Sequence, residues 1–100
     1  MTDGQATLVT IQVELYGLAQ IACGRRQVAI TVPSEAAVTD VMSALAAACP
    51  ALLGGVIRTD LSGLCESYVL NLNGLVFVAR ERLRLQSGDT LLLFSSQAGG

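Results

Sequence analysis

The stretch LVTIQVELY (8–16) constrains the fold more than any other part of the sequence. Val9, Ile11, Val13 and Leu15 alternate with Thr10, Gln12, Glu14 and Tyr16. A period of two puts the first set on one face and the second on the other, which is the signature of a half-buried β-strand and incompatible with a helix. An isolated strand or hairpin is marginal in water. The rest of the chain must therefore supply further strands and a cover for the apolar face.

It supplies both. QVAITV (27–32) repeats the alternation with Val28, Ile30 and Val32 on one side, and Pro33 closes it because proline cannot donate to a ladder. In the next segment Val38, Val41, Met42, Leu45 and Cys49 recur at steps of three and four, which predicts a helix over 38–49 with one apolar face. Its alanines favour helix, and Asp40 suits the positive end of the helix dipole. Ser34 is the only good capping residue nearby, whereas Ala37, where the pattern calls for a cap, is a poor one. SYVLNLNG (67–74) reads as a strand running into an Asn73-Gly74 turn, the strongest short hairpin signal, and LVFVA (75–79) is the return strand. After a turn at Ser87-Gly88-Asp89, TLLLF (90–94) is a final strand whose unbroken apolar run predicts burial on both faces. Residues 17–26 and 50–66 read as Gly-punctuated connections, the second with a helical turn at Leu52–Leu53. The order strand, strand, helix, strand, strand, strand predicts an α+β fold with a four- to five-stranded mixed sheet and one main helix across one face. Strands 8–16 and 90–94 are expected to be adjacent and parallel, and Val41, Met42 and Leu45 to be buried.

One hundred residues make one domain. With 52% hydrophobic and 14% charged residues the chain is no disordered segment. No apolar run approaches the ~20 residues of a membrane span, and the N-terminus has no basic, apolar signal pattern. The expected compartment is the cytoplasm. A net charge of −2 and a pI near 4.8 argue against a nucleic-acid surface. All six cations are arginines, so the chain has no lysine to accept an isopeptide bond. Arg80, Arg82 and Arg84 alternate and would share one face of an extended segment. Three widely spaced cysteines (Cys23, Cys49 and Cys65) form no disulfide framework. Without any histidine, a zinc site or a Cys–His nucleophile is not expected.

The Asn-Gly turn in NLNG (71–74), the Gly-Asp turn at 88–89, Phe94 closing the last strand and the terminal Gly99-Gly100 occur in an order that resembles the MoaD/ThiS family of ubiquitin-like sulfur carriers. The resemblance runs from about Leu8 to Gly100 and implies the ubiquitin-like β-grasp fold. It divides the chain into a domain, 1–94, and a flexible tail, 95–100. The long connections make it more similar to the molybdopterin synthase small subunit (MoaD) than to the thiamine carriers. Ser95-Ser96 stand where that pattern usually has two prolines.

The family's chemistry assigns the working group to Gly100, with Gly99 beside it. The resemblance implies that a ubiquitin-activating-type adenylyltransferase (MoeB/ThiF-like) adenylates the Gly100 carboxylate with its own ATP, and that a sulfur donor protein converts it to a thiocarboxylate. The sulfur then passes to a precursor held by a large subunit of the MoaE type. The chain itself binds no cofactor or metal and is no enzyme alone. Glycines have no Cβ, so the tail can enter a narrow pocket. Tyr16, Leu75 and Phe94 match partner-packing positions of the family. Sulfur delivery to cysteine or thiamine biosynthesis, and attachment to target lysines as a protein modifier, remain alternatives.

Overall fold

The computed structural model describes residues 7–78 and 82–96. Ten elements follow in order: β1 (Leu8–Leu15), α1 (Gly17–Cys23), β2 (Gln27–Pro33), β3 (Glu35–Ala36), α2 (Val38–Ala48), a 3-10 turn (Pro50–Leu52), β4 (Tyr68–Leu72), β5 (Val76–Val78), β6 (Leu83–Arg84) and β7 (Thr90–Ser95).

Five strands form one mixed sheet in the order β2-β1-β7-β4-β5. β1 is antiparallel to β2 and parallel to β7, with Val13 opposite Leu91 and Leu15 opposite Leu93. β4 runs antiparallel to both β7 and β5. The expected parallel pairing of the first and last strands is therefore present, and the last strand lies in the middle of the sheet.

The alternation does the sorting. Ile11, Val13, Leu15, Val28, Ile30, Val32, Leu70, Leu91 and Leu93 are buried on one face. α2 lies on that face and inserts Val41, Met42 and Leu45, all fully buried. Cys49 caps the C-terminus of α2, its N–H donating to the Leu45 carbonyl at 2.8 Å. At the other end Ala37 has no side-chain acceptor to offer the helix. Asp40 compensates in part, its Oδ2 accepting from the Ala37 N–H at 2.9 Å. Ala37→Ser is accordingly expected to stabilise the protein by about 1 kcal/mol, because a hydroxyl can then accept from an orphan N–H of the first turn. Thermal unfolding checks this.

Two features depart from the sequence-based expectation. Residues 17–23 form a helix, α1, rather than part of a loop. Gly24 stops it in the left-handed conformation (φ 79°), donating its N–H to Gln20 at 2.8 Å. Only Ala19 of this helix is buried, and Leu18, Ile21 and Ala22 make an apolar period too short to tell from a loop. The second feature is the two-residue ladder β3–β6, which pairs Glu35 with Arg84 and Ala36 with Leu83. It draws Leu83 and Leu85 into the core and leaves Arg82 and Arg84 exposed. Of the three alternating arginines, Arg80 lies outside the described residues. The segment after Pro50 is irregular, yet Leu52, Val56 and Ile57 are buried and continue the core. Among the described residues no helix is long and apolar enough to cross a membrane.

Candidate docking face and tail root

The side of the sheet away from α2 carries the alternate residues of each strand. On β1 and β2 these are mostly polar or small, such as Thr10, Gln12, Thr31 and Ala29, with Leu8 exposed at the start of β1. On β7, β4 and β5 they are Leu92, Phe94, Val69 and Phe77, an apolar patch around the amide of Asn71. Leu92, Phe94 and Val69 are half-buried, while Phe77 is 66% exposed. The unbroken apolar run of β7 thus fills the core with Leu91 and Leu93 and presents Leu92 and Phe94 to this face.

Tyr16 follows β1 directly, and its N–H donates to the Leu93 carbonyl at 3.1 Å. Tyr16 and Phe94 therefore stand together at the end of the sheet where β7 finishes. The Tyr16 hydroxyl donates to Glu14 Oε1 at 2.7 Å. That bond, with some burial and the Glu14 charge, raises the phenol above its usual pKa, so Tyr16 stays a neutral donor. α1 begins at the same end, and its Leu18 and Ile21 are 67% and 74% exposed.

Leu75 stands elsewhere. The β4–β5 turn places Asn73 and Gly74 at positive φ (56° and 75°), with the Leu75 N–H donating to Leu72 at 2.9 Å. Leu72 lies opposite Leu91 near the start of β7, whereas Phe94 lies opposite Val69. Leu75, 83% exposed, is therefore at the far end of the face, roughly 10 Å or more along the strands from Phe94. The aromatic that does reach Phe94 is Phe77, with ring centroids 6.2 Å apart and planes tilted by 58°. Strand register was the signal for it: Phe77 is opposite Asn71, on the same face as Val69.

The Asn-Gly and Gly-Asp turns interlock at that far end. Asn73 Nδ2 donates to Asp89 Oδ1 at 3.1 Å, and the Thr90 N–H donates to Asn73 Oδ1 at 2.8 Å. Asp89 Oδ2 in turn accepts from the Gln86 N–H at 2.9 Å. One side chain from each turn thus fixes the hairpin against the start of β7.

The tail root differs from the expected boundary at Ser95. Ser95 belongs to β7, opposite Tyr68, and Ser96 donates both its N–H (2.7 Å) and its hydroxyl (3.1 Å) to the Ser67 carbonyl. The sheet therefore holds the chain through Ser96. Gly99 and Gly100 lie outside the described residues. The cysteines take no part in this face. Cys49 is buried, and burial, followed by the neighbouring Cys23 thiol, raises its pKa and keeps it protonated. Cys65 is half-buried, its thiol directed to the Gly54 carbonyl at 3.7 Å.

A scan against protein-family models returns no match, nor does a search of curated proteins. Solved structures do match. The crystal structure of small archaeal modifier protein 1 from Haloferax volcanii shares 30% identity, with a TM-score of 0.75, and the alignment covers 91% of this chain and 99% of that one. The chain belongs to the ubiquitin-like family of small archaeal modifiers and sulfur carriers. Two less similar solved structures share its fold. The small archaeal modifier protein 1 from Methanosarcina acetivorans is 20% identical, with a TM-score of 0.73 over 94% of this chain and 99% of that one. A Pyrococcus furiosus chain described as molybdopterin converting factor, subunit 1, is 20% identical, with a TM-score of 0.59 over 87% and 97%. The β-grasp expected from the sequence is thus the fold of this family, with α1 as a second helix.

Proposed function

We propose that this protein is a sulfur carrier acting through its Gly100 carboxylate, as the small subunit of a molybdopterin synthase. The observation that carries the reading is the arrangement at one end of the sheet. β7, the central strand, presents Phe94 beside Tyr16 and Phe77 on a face that no described element covers, and the sequence continues from Ser96 to Gly99 and Gly100. A partner that docks on this face receives the C-terminus in a defined direction.

The chemistry follows from the carboxylate. With an ordinary pKa of about 3.5 it is anionic at neutral pH. It attacks the α-phosphate of ATP in an activating enzyme, pyrophosphate leaves, and an acyl-adenylate forms. Hydrosulfide, or a protein persulfide whose acyl disulfide a thiol then reduces, adds to the acyl carbon and expels AMP, leaving a thiocarboxylate that a second partner consumes. This chain supplies the acyl group, its positioning and the docking face; the partners supply ATP, catalysis and sulfur. From Ser96 to Gly100 there are four residue steps, about 13–14 Å when extended, which sets how deep below the docking face the reaction centre lies.

A second reading, attachment of Gly100 to lysines of other proteins, is favoured by the 30% identity to a small archaeal modifier protein. Intact-mass analysis separates the two after co-expression with the organism's own ubiquitin-activating-type enzyme and sulfur donor. Replacement of one oxygen by sulfur is the expected result. Lysine adducts on other proteins without the sulfur form support the second reading, and an unmodified chain overturns both.

A further inference from the structure

Among the described residues Asn71 is the sole buried polar residue, 7% exposed, and none of them gives its Oδ1 a hydrogen-bond partner. Leaving a buried carbonyl unpaired costs stability, and native structures rarely do so without a reason. Asn71 is flanked along β4 by core-facing Leu70 and Leu72, so it points to the uncovered face. There it completes a cross-strand row, Glu14–Leu92–Asn71–Phe77, through β1, β7, β4 and β5. Phe77 and Phe94 come from the strands on either side of β4, yet their ring centroids are 6.2 Å apart. The rings therefore lean toward each other across β4. Phe77 is 66% exposed on a three-residue edge strand.

We infer that Asn71 is a recognition residue whose Oδ1 accepts a hydrogen bond from a donor that the docking partner places between Phe77 and Phe94. The inference rests on the docking face described above and specifies the chemistry of its occupant. That occupant is a partner protein, apolar where it meets the two rings and carrying an N–H or O–H donor at its centre. The same row holds the Glu14 carboxylate, so a donor-rich surface complements it. A second copy of this chain would set a second acidic row against this one. A hydrophobic contact alone is tolerant of register. A buried acceptor rejects a surface that lacks the donor, because desolvation of Oδ1 is then uncompensated.

The test uses full-length protein and the organism's own activating enzyme, with two variants. Asn71→Leu has similar volume and removes the unpaired carbonyl. It is expected to raise the melting temperature by about 4–8 °C and to weaken the enzyme complex at least ~10-fold in Kd by calorimetry. Asn71→Asp keeps an acceptor in place. It is expected to lower the melting temperature, yet to bind at least several-fold more tightly than Asn71→Leu. Unchanged affinity in Asn71→Leu, or equal weakening by both variants, overturns the inference while leaving the docking face intact. A wild-type chain that does not bind the enzyme overturns the docking reading itself, and the inference with it. A concentration-dependent wild-type dimer that Asn71→Leu abolishes assigns the face to a second copy and overturns the partner named here.

Discussion

Deleting Gly100 is expected to reduce ATP–pyrophosphate exchange with the activating enzyme at least ~100-fold, while fold and affinity stay as in the full-length chain. The sheet holds the chain through Ser96, whose two bonds to the Ser67 carbonyl fix the point from which the remaining residues extend. Losing one residue withdraws the carboxylate by about 3.3–3.6 Å. A misplacement of even 1 Å can cost a reaction about 100-fold, because the near-attack geometry is lost. None of the docking residues is touched, so binding persists. Gly99→Ala should act in the same direction through crowding of the pocket. Measuring exchange and calorimetric affinity on the same preparations separates reach from recognition; undiminished exchange without Gly100 would sink the mechanism.

Phe94→Ala should weaken the partner complex by ~2–4 kcal/mol, roughly 30- to 1000-fold in Kd. Phe94 sits on the central strand, touches Phe77 and adjoins Tyr16, so it lies where the face is best supported. Leu75→Ala is expected to change the affinity far less, because Leu75 stands at the turn end of the sheet and is 83% exposed. If Leu75 proves the stronger anchor, the partner docks on the opposite end and the tail-root reading fails. Thermal melts on both variants show whether any loss is one of recognition rather than folding.

How much of this was readable beforehand followed from periodicity. β1 and α2 are long and strongly patterned, and their apolar faces match the buried residues; the Asn-Gly turn has a steric cause, two successive positive φ angles. α1 escaped notice because seven residues make only two turns, and its Leu18–Ile21 pair is too short a stripe to separate from a loop. The β3–β6 ladder escaped because two-residue strands are decided by tertiary pairing rather than by local sequence. Register explains the docking face. Tyr16 and Phe94 could be placed together from strand polarity. Leu75 could not, because it sits in the hairpin turn, and which end of the face that turn occupies depends on how β4 pairs with β7. Phe77 and Asn71 became visible only once β4 was aligned with both neighbours.

The central position of β7 has a mechanical consequence. Tension applied through the C-terminal end of β7 runs along a strand bonded on both sides, parallel to β1 and antiparallel to β4. The ladder bonds lie across that direction, so they carry load together in shear rather than opening one at a time as at a peeled edge. A partner can therefore draw hard on the C-terminus, and the body of the protein will transmit the force to the docking face before it yields.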